Sequence, residues 1–91
     1  MIRINCFIAV DEEKRQIVLD AAKRLTEASQ KQEGCIAYDI FESATRRNVL
    51  MICETWRDKI SLDAHSASEI FRKEVAIMNN EAVMKLETFE F

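Results

Sequence analysis

The sequence predicts an α+β domain of order βαββαβ, and three observations carry that prediction. Four runs read as strands, two longer segments place apolar residues at helical spacing, and a polar SATRR segment joins the second and third strands as a hairpin. The preferred solution for this order is a four-stranded antiparallel sheet with both helical segments on one face, the ferredoxin-like arrangement.

Each element has its own signal. Residues 2–10, IRINCFIAV, alternate with β-branched residues on one parity, which predicts a strand. Asp11 is then placed as a helix N-cap, with acidic residues in the first turn and Ile17, Val18, Ala21, Leu25 and Ala28 at helical spacing as far as about Gln32. Gly34, the only glycine, stands where a helix commonly stops in a left-handed turn. Strands follow over residues 35–42 (CIAYDIFE) and 48–56 (NVLMICETW). Asp58 is the next N-cap candidate, and a capping box at Ser66 and Glu69 is expected to break the second helical segment into two pieces. AVMKLETFEF, residues 82–91, alternates again and closes the order as a strand.

At 91 residues with 48% hydrophobic side chains the chain suits one domain, residues 1–91, with no repeat or linker to mark an internal boundary. A domain of this size buries only about 60 to 65% of the surface its unfolded chain exposes, so self-association is a natural way to hide more. A net charge of −3 from 13 basic and 16 acidic residues argues against nucleic acid as a partner. Cys6, Cys35 and Cys53 lack C-x-x-C spacing and, with a single histidine, make no zinc set, so no metal is expected and the thiols read as free in a reducing compartment. No apolar run reaches the roughly 20 residues of a membrane span, and the N-terminus lacks a secretion signal, which leads to the expectation of a cytoplasmic protein without a membrane partner.

Strand parity leads to an expectation about assembly. Ile2, Ile4, Ile8 and Val10 are assigned to the helix-facing layer together with Val49, Met51 and Cys53. The other parity then gathers Arg3, Asn5, Phe7 and Ala9 with Leu50, Ile52, Glu54 and Trp56. Phe7, Leu50, Ile52 and Trp56 would form a large apolar patch if left in water, so a second copy of the chain is expected to cover it, giving a homodimer of two facing sheets with a pocket in each subunit.

The segments EGCIAYDIF, NVLMICETWRDKISLDAHSAS and EIFRKEV resemble the antibiotic biosynthesis monooxygenase domain family, dimeric α+β barrel proteins that include quinol monooxygenases. Glu33-Gly34-Cys35 leading to Tyr38, then Glu54-x-Trp56, then Leu62-Asp63-Ala64-His65 carry most of the likeness. The resemblance implies a monooxygenase needing neither metal nor flavin, with no cofactor, in which a small aromatic or quinol-type substrate itself reduces O2. The scaffold also serves other activities, so an isomerase-like enzyme on a small oxygenated metabolite and a non-catalytic dimeric ligand-binding or stress protein stand as alternatives. Heme-degrading relatives place an asparagine on the first strand, a tryptophan at the end of the third and an iron-binding histidine on the last helix. Asn5 and Trp56 match, but Val75 occupies the ligand position and cannot hold iron, so heme degradation is not expected; Ile70 replaces a second histidine found in relatives.

This chemistry requires a dry pocket, a base or hydrogen-bond donor, and an aromatic wall. Asn5, Trp56 and His65 are the catalytic candidates: Asn5 to donate its amide to an oxyanion, Trp56 to stack on a ring or donate its indole N–H, and His65 to accept a phenolic proton. Phe7, Tyr38, Ile52 and Glu54 are the candidate substrate-binding residues. Structural roles stand beside these. Asn5 can satisfy backbone groups at the dimer face, Glu54 can pair with Arg3 across the sheet, His65 can close the helix junction beside Glu69, and the layer Tyr38 enters depends on strand pairing.

Overall fold

The computed structural model describes residues 1–91 as β1 (Ile2–Ala9), α1 (Glu12–Ser29), β2 (Cys35–Glu42), β3 (Val49–Trp56), α2 (Lys59–Ala67), α3 (Glu69–Glu81) and β4 (Val83–Glu90). The strands form one sheet in the order β2-β3-β1-β4, with every neighbouring pair antiparallel. This is the ferredoxin-like arrangement expected from the pattern, with the core between one sheet face and the helices.

Each helix has a visible local cause. α1 starts at Asp11, extended at the N-cap without a side-chain bond, and its apolar stripe buries Val18, Leu19, Ala21, Ala22 and Leu25. It ends at Ser29, three residues before the expected stop, and a turn with Gly34 at φ 80° leads into β2. Asp58 caps α2 by accepting from the Ser61 N–H at 2.8 Å. The break between α2 and α3 falls at Ser68, not Ser66: its hydroxyl donates to the His65 carbonyl at 2.6 Å and accepts from the Phe71 N–H at 3.3 Å. One hydroxyl thus bonds the end of one helix, whose His65 carbonyl also accepts from the Ser68 N–H at 3.1 Å, and caps the start of the next.

α1 and α3 pack together through Met78, which is 1% exposed, and through Glu74, which is fully buried. Arg24 forks onto Glu74 with bonds of 2.7 and 3.2 Å, so the buried carboxylate keeps a cationic partner that reaches solvent. Each large aliphatic side chain enclosed in this layer contributes roughly 1.5–3 kcal/mol.

Strand register overturns the parity assigned to β3. Cys6 pairs with Ile52 and Ile4 with Glu54, and residues directly opposite share a face, so Leu50, Ile52, Glu54 and Trp56 lie with the helices. Val49, Met51 and Cys53 belong to the outer face. Both parities of β3 are apolar enough to fill a core, so alternation alone did not choose between them. The expected Glu54–Arg3 pair is excluded by the same register, because the two side chains leave opposite faces; Arg3 donates instead to the Thr55 hydroxyl at 3.2 Å.

Candidate active site

Side by side across the helix-facing layer lie Tyr38, Glu54 and Ile4, paired from β2, β3 and β1. A register shift between Cys35 and Ala37 precedes Tyr38, whose ring is 2% exposed and therefore on the helix side. Above this row a cavity of about 240 Å³ opens between the sheet and the helices. Cys6, Ile52, Leu25 and Met78 form its apolar depth, while Ser66, Asn79 and Leu86 are exposed residues at its rim.

His65 enters from α2 and is enclosed by aromatic rings. Its centroid lies 4.5 Å from Trp56, 5.0 Å from Phe71 and 5.5 Å from Tyr38. Burial leaves it 2% exposed and pulls its pKa from the ordinary 6.5 to about 4, so the ring is neutral at pH 7. Nδ1 lies 2.7 Å from Gln32 Oε1. Nε2 is buried without a hydrogen-bond partner, and Glu54 Oε1 stands 3.8 Å away, too far for a direct bond.

Glu54 shares the buried end of the cavity. The Trp56 indole N–H donates to its Oε1 at 2.9 Å. Burial raises the Glu54 pKa above the usual carboxylate range, and its hydrogen bonds with Trp56 and Tyr38 partly offset that rise. Burial, then the neighbouring Glu54 carboxylate, also raise the Tyr38 phenol and push the Cys6 thiol to about 11, so Cys6 is protonated and unreactive at neutral pH. No three His, Cys, Asp or Glu side chains come together in an arrangement suited to a metal ion. The site is an apolar chamber whose wall holds an unpartnered imidazole nitrogen and a carboxyl oxygen 3.8 Å apart.

The sequence profile described as antibiotic biosynthesis monooxygenase matches residues 1–76. This chain belongs to the antibiotic biosynthesis monooxygenase family. A relative from Bacillus subtilis (strain 168), "Putative monooxygenase YcnE", is 33% identical over 76 residues, covering 84% of this chain and 80% of its own. The crystal structure of a Bacteroides thetaiotaomicron protein of unknown function, described as a possible oxidoreductase, superposes with a TM-score of 0.97 at 53% identity, covering 99% of this chain and 96% of that one. A structure described as an antibiotic biosynthesis monooxygenase gives a TM-score of 0.91 at 25% identity, with 100% and 98% covered.

Within this family fold the candidates named from sequence separate into two groups. Tyr38, Ile52, Glu54 and His65 line the cavity, and fully buried Trp56 backs it, with its ring against His65 and its N–H on Glu54. Asn5 and Phe7 do not join them. Their parity on β1 sends them to the outer face, where Asn5 donates to Glu87 at 2.9 Å and Phe7 is 43% exposed. The alternative pairing of His65 with Glu69 is not formed, since the ring points inward to Gln32 and the aromatic cluster.

Sequence reading did not assign the α3 wall or the partner of His65 to the site. Phe71, Val75 and Met78 recur at i, i+4 and i+7 on α3 and form one wall, a stripe that helical periodicity could have supplied. Gln32 carried no such signal, because a glutamine in a polar turn gives no indication that a distant ring will meet it.

Proposed function

We propose that this chain is a monooxygenase that oxidises a small, neutral, single-ring phenol or quinol with O2, the substrate supplying the electrons without a bound flavin or metal. The observation that carries this reading is the unpartnered Nε2 of buried His65, 3.8 Å from Glu54 in the wall of an apolar cavity. A phenolic hydroxyl seated there donates to Nε2, which satisfies the one imidazole atom that folding leaves bare. Size is consistent with this class. A cavity of about 150 Å³ is enough for benzene, so about 240 Å³ leaves space for ring substituents and O2. The lining includes no Lys or Arg, so an anionic metabolite would enter without a counter-charge and beside a carboxyl group.

In this mechanism Nε2 accepts the phenolic proton, and Glu54 stabilises the imidazolium formed 3.8 Å away. The electron-rich ring then gives two electrons to O2 and forms a C–O bond, giving a ring hydroperoxide after protonation. Cleavage of its O–O bond, with loss of the proton from that carbon, leaves one oxygen as a carbonyl and releases the other as water. For the simplest substrate, one molecule of phenol and one of O2 give one molecule of para-benzoquinone and one of water.

Oxygen uptake by metal-free protein with a panel of phenols and hydroquinones tests the proposal. The expected result is uptake above the autoxidation blank, matched by quinone formation, and at least about tenfold slower in His65→Gln. No substrate-dependent uptake above the blank would sink the reading and leave an isomerase or a ligand-binding protein.

We also propose that the partner of the outer sheet face is a second copy of this chain. Phe41, Met51 and Phe7 form a row across three strands, with Val83 and Phe89 on the same face of β4, and their exposed apolar side chains suit a covering partner. The buried, unpartnered Oδ1 of Asn5 on the same face is an acceptor that a facing sheet can satisfy.

A further inference from the structure

We infer that Gln32 is a positioning residue that fixes the tautomer of His65, holding the proton on Nδ1 so that the Nε2 lone pair is left on the side of Glu54. The role as a proton acceptor rests on the function proposed above, whereas the tautomer itself is independent of it.

Gln32 follows α1 in a turn whose backbone is tied down at successive residues: Gln30 N–H to the Thr26 carbonyl at 3.0 Å, Lys31 to Ala28 at 3.2 Å, Gln32 to Ser29 at 3.0 Å, and Cys35 to Gln32 at 3.2 Å. The Arg57 N–H donates to the Gly34 carbonyl at 2.8 Å, joining the same turn to the end of β3. Gly34 lies so close to α2 that an added Cβ would stand 2.0 Å from the Ser61 oxygen, and Ser61 is one helical turn before His65. Gln32 is therefore held against the helix that carries the imidazole. A fixed backbone is what a side chain needs to hold a ring at one angle.

The chemistry of the partner matters as much as its position. An amide oxygen 2.7 Å from Nδ1 accepts a proton from it and has none to give, so the neutral ring places its proton there and leaves Nε2 bare. A carboxylate at position 32 would accept the same proton but would also favour the charged ring, occupying the lone pair the reaction needs. With its amide oxygen turned to Nδ1, glutamine selects the tautomer without that charge. Around the imidazole, β3 contributes Glu54, β2 contributes Tyr38, and α3 contributes the uncharged Phe71 and Val75; Cys6 on β1 lines the same cavity.

His65 is the only histidine, so imidazole nitrogen signals of 15N-labelled protein belong to it without further assignment. In the substrate-free wild type at pH 7, Nδ1 is expected to read as protonated and Nε2 as bare. Gln32→Leu should give a mixture of tautomers or the reverse one, and Gln32→Glu should keep the proton on Nδ1 while raising the pH at which the ring charges by about one unit or more. In turnover, Gln32→Leu should lower kcat by about tenfold or more with KM little changed, and Gln32→Glu should move the acid limb of the pH profile upward. A wild-type ring protonated at Nε2, or ring signals indifferent to Gln32→Leu, would overturn the inference. The wild-type spectrum decides the tautomer even where a variant folds poorly. The expected spectra without any oxygen-consuming substrate would support the tautomer and reject only the proposed function.

Discussion

Burial of a neutral imidazole makes stability depend on pH in a direction and by an amount that can be worked out. In the unfolded chain His65 binds its proton at the ordinary 6.5, whereas in the folded protein it does so only at about 4. Between those values the unfolded state holds more protons, so acid favours unfolding. The contribution of His65 is fully present above pH 6.5, falls as pH drops from 6.5 toward 4, and levels off below. At about 1.4 kcal/mol per pH unit the loss reaches about 3 kcal/mol near pH 4. Glu54 acts in the opposite sense, because its raised folded pKa makes the native state bind a proton first as pH falls. Wild-type stability alone therefore understates the histidine effect. Urea unfolding of wild type and His65→Gln from pH 7.5 to 4 separates them, since Glu54 is present in both chains and a constant offset between them cancels. The stability advantage of wild type over His65→Gln should shrink by about 3 kcal/mol over that range. A difference that stays flat, or a ring that titrates at 6.5 in the folded protein, would refute the reasoning.

Two further outcomes follow from the packing. Gly34→Ala forces a left-handed conformation on a residue with a side chain and drives its Cβ into Ser61, so it should cost roughly 2–4 kcal/mol in urea or thermal unfolding; adding Ser61→Gly should restore the steric share, and a loss below about 1 kcal/mol would contradict the close approach. On the outer face, sedimentation at micromolar concentration should give the mass of two chains, and Phe7→Glu should give one chain with unchanged helical circular dichroism. A wild-type monomer under those conditions would end the dimer proposal.

Element order was legible from local signals. β2 falls at the residues its alternation indicates, and Asp58 caps its helix as its place in the sequence implies. Such features depend on interactions among near neighbours, which the sequence displays directly. Trp56 and His65 could also be singled out by chemistry, although their contact could not be derived from spacing.

The sequence by itself determined the βαββαβ order, the amphipathic stripes and the residue types able to carry proton transfer. Tertiary structure decided which face each of them serves. β3 is apolar on both parities, so only its register against β1 and β2 placed Glu54 and Trp56 beside His65 and left Asn5 and Phe7 on the far side of the sheet. The same holds for Gln32, whose meeting with a ring 33 positions away depends on the turn at Gly34 packing against α2. Periodicity reports that a side chain alternates, but the partner it meets is set by contacts between segments far apart in the chain.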